Sequence, residues 1–577
     1  MKRTLTILSA SLLLTGLTSC SDYLDILPLN DVVLENYWTE KNDVTSVLNS
    51  CYESLENSES VTRMAIWGEL RSENIVGGNF SNNNDLADAL RETLLPSSRF
   101  TLWSDFYRTI NRCNTVIHYA PGVQEIDPNY KLVELQATIA EATFIRDLCY
   151  FYLLRTFGGV PMVFEPSIGD DIEFEVAPTA AFTYQDGKWE IGPALDMLIN
   201  DLKSVEDKAV RRYYDDNKKE EDIDVLEASR NSSRVTRYAI YALLAELNLW
   251  KGDFDETIHY CDLIIDYKKE QYEERKAKLG SDLKDIELFN EIPLITECPA
   301  GGNKCGNAQT KIFGKGNSFE SIFELYFTSA NTFINNYYRT KDNGDIPYLA
   351  ALNENRKDVL TGSNTLFSKD DCRAYGMIDN TTSRTTIAKY VASSVSMSNR
   401  LKTLTDEKNA EIKINRRGND EPANWIIYRL TDIMLMKAEA LVFKGAEYYE
   451  QAFNLVDAVN RRARKIDNAG DPDALDIKNY NSDMTKMMED LILQERKREF
   501  MFEGKRWYDL ARYSIRVGNN NYLSRQVTAK YEINVSAIQI KLSNPYTLFW
   551  PINKEELKLN SNLKQNPAYG DTEDFQR

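Results

Sequence analysis

A chain of 577 residues that is 42% hydrophobic and 27% charged has ordinary globular composition, which excludes a disordered or collagen-like polymer. Its net charge of −19 repels phosphate backbones and anionic lipid surfaces, which excludes nucleic acid as a partner. Beyond the N-terminal segment no apolar run reaches the roughly 18 residues that a spanning helix needs.

The first element is Met1-Lys2-Arg3, an apolar run from Leu5 to Leu17, and then Leu17-Thr18-Ser19-Cys20. A basic start followed by a short apolar core predicts an export signal, too short to cross a bilayer of about 30 Å as a helix. Leu-Thr-Ser-Cys resembles the bacterial lipobox, which implies a signal peptide over 1–19 and a covalent lipid on Cys20. Acyl chains contribute about 0.8 kcal/mol per buried CH₂, so two or three of them hold a protein firmly on a membrane. Residues 20–40 read as a polar, lipidated tether whose acidic patch resembles a surface-export signal.

From residue 41 onward a single domain is predicted, with a helical scaffold over about 41–60, 101–161, 190–266 and 425–515. Val44, Val47, Leu48, Cys51 and Leu55 take helical spacing, as do Trp103, Phe106, Tyr107, Ile110 and Cys113. A long helix over 132–157 ends at Gly158-Gly159-Val160-Pro161, where glycine stops it and proline prevents restart. Two amphipathic helices meet across Gly252-Asp253, and the plan recurs around Gly445; each pair resembles a tetratricopeptide unit without a fixed repeat period. The fold class predicted is mostly α: a tetratricopeptide-like helix-pair scaffold with large irregular, loop-rich insertions and a few short strands, such as one from Ser321 to Phe327. The insertions fall at about 61–100, 267–424 and 516–550, and long loops on a rigid scaffold are where binding residues collect. In Gln494 to Arg512, opposite charges interleave with Phe500, Phe502 and Trp507; this predicts two helices broken at Gly504 and locked by partly buried ion pairs.

Eight cysteines are present. With Cys20 lipidated the remainder is odd, so at least one thiol stays free. Cys113, Cys149 and Cys261 lie on apolar helical faces and read as buried small hydrophobes. Cys298 and Cys305 flank a Pro-Ala-Gly-Gly-Asn-Lys turn supple enough to let them pair or to leave them apart. No metal site is predicted: the cysteines lack partner histidines, and the acidic run 215–227 lacks the spacing of a calcium loop, so calcium has no support there. No Gly-x-Ser-x-Gly, His-Glu-x-x-His or Walker motif occurs, and the two histidines, His118 and His259, fall in helical segments. The chain therefore reads as a non-enzyme without a cofactor beyond the lipid.

Several motifs in chain order resemble the SusD/RagB family of outer-membrane nutrient-binding lipoproteins of Bacteroidetes. They are Glu141-Ala142-Thr143-Phe144-Ile145-Arg146 with Phe157-Gly158-Gly159-Val160-Pro161, then Tyr428-Arg429-Leu430-Thr431-Asp432, Val459-Asn460-Arg461-Arg462-Ala463-Arg464, and the stretch from Glu495 to Arg512. Phe549-Trp550-Pro551-Ile552 and Asn566-Pro567-Ala568-Tyr569 complete the set, with Ala568 where the family prefers glycine. The resemblance implies four helix pairs and a place on the outer face of the outer membrane. It also implies a role as lid on a SusC-like TonB-dependent transporter, to which captured oligosaccharide is delivered. Capture of a peptide, as in the RagB branch, and a lid that binds no ligand stay open beside it.

The family's motifs are scaffold motifs, so ligand residues are sought by chemistry. Sugars present C–H faces to rings and hydroxyls to amides, carboxylates and guanidinium groups. The insertions offer Trp67, Asn79, Phe80, Asn83, Tyr337, Tyr338, Arg339, Arg373 and Tyr375, of which two or three are expected to touch ligand. Asp371-x-Arg373 also matches a family pattern of structural character.

Overall fold

The structure, a computed structural model, describes residues 37–79, 83–167, 175–213, 231–299, 304–339, 347–380, 385–398, 411–418, 420–464, 474–480 and 484–570. The predicted signal peptide, Cys20, most of the tether, Phe80 and the acidic run 215–227 lie outside them.

Helix α1 (Lys41–Leu55) buries Val44, Leu48, Cys51 and Leu55 against α2 (Ser104–Ile126) and α3 (Leu132–Phe157). Every residue of α3 from Ala140 to Phe157 is buried, so it is the central helix, apolar all round rather than along one stripe. It stops at Gly158, whose φ of 82° is the left-handed cap position glycine occupies without strain. Two further helical hairpins follow: α4 (Arg237–Lys251) with α5 (Phe254–Leu279), and α6 (Leu430–Lys444) with α7 (Tyr449–Ala463). A fourth pairs α8 (Met484–Phe500) with α9 (Arg506–Val517). Consecutive hairpins stack, α5 along α6 and α6 along α8. The buried apolar residues form one continuous cluster from Trp38 to Leu563.

Two boundaries differ from expectation. Helix α5 continues to Leu279 rather than ending near 266, because Tyr267, Lys268 and Tyr272 extend its buried face. The insertion at 516–550 carries helices Asn521–Thr528 and Val535–Ser543, where loop was predicted. The large middle insertion is held by short antiparallel pairings. Ser321–Leu325 pairs with Trp425–Arg429, and Ile75–Gly77 pairs with Leu349–Ala351.

The ion pairs expected around Gly504 are more deeply buried than the sequence implied. The Glu499 carboxylate accepts from Arg373 at 2.9 Å, from Arg429 at 2.6 Å and from Arg462. Burial alone would raise its pKa, but the three guanidinium groups outweigh that and hold it well below the usual range. Arg429 also reaches Glu503 at 2.9 and 2.7 Å, and Lys389 donates to Glu503 at 2.6 Å. Arg496 ties Asp432 at 2.9 Å to Asp509 at 2.8 Å. The lattice joins α6, α7, α8 and α9 to the middle insertion.

Cys298 and Cys305 are disulfide-bonded, and Cys51, Cys113, Cys149, Cys261 and Cys372 are buried thiols. Among the described residues no helix is long and apolar enough to cross a membrane.

Candidate functional site

The strand pairing of Ile75–Gly77 with Leu349–Ala351 brings the first and second insertions together. Beyond its end Gly78 N–H donates to the Tyr348 carbonyl and Asn79 N–H to that of Pro347, both at 2.9 Å. A cavity of about 580 Å³ opens at this junction, lined by Ser58, Glu59, Thr62, Asn83, Asn84, Asp85, Arg99, Thr332, Asn336, Tyr337 and Tyr348. Its volume lies in the range of small-molecule sites, about 300–1,000 Å³.

Each wall has a local cause. Asn83 caps the helix Asn84–Leu90, its side chain accepting from Leu86 N–H at 3.1 Å, which leaves Asn84 exposed at the cavity. The segment Ile334–Tyr338 is a π-helical turn, a geometry often found at functional sites. It sends two adjacent tyrosines different ways. Tyr337 turns to the cavity, where its hydroxyl accepts from Arg99 at 2.6 Å and its ring meets Tyr348 edge-on at 5.3 Å. Tyr338 turns inward and donates to the Phe502 carbonyl at 3.3 Å. Burial raises the Tyr337 pKa against the pull of Arg99, so its hydroxyl stays protonated near neutral pH. Tyr348 is 36% exposed, and Asn336 and Thr332 are exposed beside it.

This lining offers groups that can recognise a polar ligand. One ring is offered for stacking, amides and hydroxyls for paired hydrogen bonds, Glu59 and Asp85 as acceptors, and Arg99 as donor. Among the described residues no histidine, cysteine or lysine lines it. Among the described residues the one cluster of metal-type ligands is Cys298, Cys305 and Cys372, and two of those sulfurs are bonded to each other, so they are not thiolate ligands.

Of the nine residues proposed from sequence, Asn83 and Tyr337 line the cavity, and Asn79 is tied by its backbone to the same junction. Phe80 lies outside the described residues. The other five are corrected. Trp67 is fully buried, stacked on Phe106 at 4.9 Å with its indole N–H on the Phe100 carbonyl at 2.8 Å. Tyr338 is fully buried as described. Arg373 bridges Asp371 at 2.7 Å and Glu495 at 2.7 Å, so Asp371-x-Arg373 is structural. Tyr375 is buried, its hydroxyl on the Lys369 carbonyl at 2.9 Å and its ring under Arg356. Arg339 is buried outside the lining. These aromatics and arginines sit in loop-rich sequence but serve the core of the insertion. Sequence reasoning missed Arg99 and Tyr348; a tyrosine beside proline in the same insertion as Tyr337 was the available signal.

A larger cavity of about 850 Å³ is walled by Tyr184, Trp189, Tyr546 and Phe549. Its amides are already committed: Asn566 donates to the Tyr546 carbonyl at 3.0 Å, and Gln565 both accepts from and donates to Ile552 at 2.9 Å. The unpartnered Trp189 indole N–H, Thr183 and Lys564 are its remaining polar groups, fewer than the amides, carboxylates and guanidinium of the Tyr348 cavity.

A stacked helical-hairpin scaffold carrying a polar, ring-bearing cavity between two insertions defines a binding protein. A model of the SusD family matches residues 325–569, and one described as "Starch-binding associating with outer membrane" matches residues 22–249. SusD-like protein P38 of Formosa agariphila is 23% identical over 506 residues, covering 86% of this chain and 88% of the relative. SusD-like protein P25 of the same organism is 21% identical over 572 residues, covering 95% and 96%. A SusD superfamily structure from Bacteroides vulgatus superposes with a TM-score of 0.62 at 18% identity, covering 92% of this chain and 100% of that one. A laminarin-binding SusD-like protein superposes at 0.55 with 18% identity, covering 92% and 100%. The chain belongs to the SusD/RagB family.

Proposed function

We propose that this chain is a surface-exposed outer-membrane lipoprotein that captures an oligosaccharide and hands it to a SusC-like TonB-dependent transporter, without catalysing a reaction. The observation that carries the reading is the cavity between the first two insertions, where Tyr348 offers a ring face and Asn84, Asn336, Glu59, Asp85 and Arg99 offer hydrogen bonds of both senses. The family match and a laminarin-binding structural neighbour support glycan over peptide. The lipobox-like Leu17-Thr18-Ser19-Cys20 supports a lipid anchor, and anchoring supports delivery to a membrane partner.

Calorimetric titration of the protein with laminarin-type and other oligosaccharides tests the ligand class. Binding with Kd between about 1 mM and 1 μM is expected, equivalent to roughly −4 to −8 kcal/mol. A protein that binds peptides and no glycan overturns the glycan reading, and release of new reducing ends overturns the non-catalytic one.

A further inference from the structure

A third cavity, of about 450 Å³, lies between α5 and the segment 311–322 and shares no residue with the Tyr348 cavity. Its charge runs against the chain's. Lys268, Arg275, Lys311 and Lys315 line it, with Asp285 as the one carboxylate among the described lining residues, in a chain of net charge −19. Asp285 is held by Lys311 at 3.0 Å. Lys268 is 6% exposed and is aimed into the structure by the Phe319 and Ser321 carbonyls, at 2.7 and 3.0 Å. No ion pair is recorded for Arg275 or Lys315 among the described residues. The Arg275 guanidinium instead rests 5.4 Å over the Phe319 ring.

Two buried polar atoms here have no hydrogen-bond partner: Asn231 Nδ2 and Gln271 Oε1. Their amides are fixed from the other end. Asn231 Oδ1 accepts from Tyr213 N–H at 2.8 Å, and Gln271 Nε2 donates to the Tyr267 hydroxyl at 3.0 Å. A buried donor or acceptor left unmet is unfavourable, so a donor and an acceptor without partners beside a surplus of cations fit a ligand with both an anionic group and hydroxyls.

We propose that this cavity is a second binding site, selective for a sugar carrying a carboxylate or sulfate. Arg275 and Lys315 meet the anion, and Asn231 and Gln271 meet hydroxyls. The proposal does not depend on the reading of the Tyr348 cavity.

The test titrates the full mature chain with trigalacturonate, its methyl ester and a sulfated oligosaccharide. At least one anionic probe is expected to bind, with the neutral ester at least about tenfold weaker, the loss of a charge-assisted contact. The variant R275Q/K315Q, in which Lys315 is exposed and Arg275 only partly buried, is expected to stay folded with a melting temperature near that of the wild type and to lose anion affinity about tenfold or more. The carboxylate and sulfate arms tell which anion is preferred. Equal affinity for acid and ester, unchanged affinity in R275Q/K315Q, or no binding of either anion at about 10 mM overturns the proposal.

Discussion

Tyr348 and Trp67 separate two kinds of aromatic that look alike in sequence. Tyr348 stands at the cavity with more than a third of its surface exposed, so its ring can lie against a sugar face. Tyr348→Ala is expected to weaken glycan affinity about tenfold, or about 1.4 kcal/mol, with little change in melting temperature; calorimetry beside a thermal melt reads both. Trp67 is enclosed by Phe106, Phe157 and the Phe100 carbonyl. Trp67→Ala is expected to cost about 3–5 kcal/mol of stability through lost packing, seen as a lower urea midpoint. Glu499 is a third case. Glu499→Gln removes the charge that three guanidinium groups share, and leaving buried cations uncompensated is expected to cost about 3–5 kcal/mol.

Among elements, the contact that most constrains the site is between backbones. The turn Ile66–Leu70 passes so close to the α8–α9 link that a Cβ on Gly68 would lie 1.7 Å from the Gly504 carbonyl oxygen. Gly504 holds φ at 70°, and Glu69 accepts from the N–H groups of Phe502 and Gly504, both at 3.1 Å. The first insertion, which contributes Asn83 to Arg99, is thereby fastened to the scaffold's last hairpin. Gly68→Ala is expected to cost about 3 kcal/mol or more, since neither backbone can yield without breaking the Glu69 bonds. A Gly68→Ala protein with the wild-type denaturation midpoint would show that the two segments are not so fastened.

For the whole molecule, acid stability follows from the buried ion pairs. Burial would raise the pKa of Glu73, but Arg506 and Lys497 prevail and hold it at about 2 against an ordinary 4.5. Glu439 is held at about 2 in the same way by Arg512 and Arg516. A carboxylate whose folded pKa is depressed contributes stability that is present above its unfolded pKa and is lost as pH falls through the folded value. The melting temperature is therefore expected to fall steeply between about pH 4.5 and pH 2, with each of the two groups contributing about 3 kcal/mol. A flat profile over that range would remove these pairs as the source.

The sequence by itself determined the helical scaffold, because amphipathic spacing, Gly158 and Gly252 as stops, and the charge-and-ring pattern around Gly504 act locally along the chain. It also determined that Cys113, Cys149 and Cys261 would be buried, since each sits on an apolar helical face. Tertiary structure alone decided which loop residues face a ligand. Arg373 and Tyr375 carry the chemistry of a sugar site, yet Arg373 is taken up by Glu495 and Glu499, far away in the chain, and Tyr375 by the nearby Lys369 carbonyl. Tyr337 and Tyr338 are neighbours in sequence, and only the π-helical turn beneath them sends one to the cavity and the other to the core. Hydrophobic periodicity is written over a few residues, whereas exposure in an irregular insertion is set largely by partners more than a hundred residues distant.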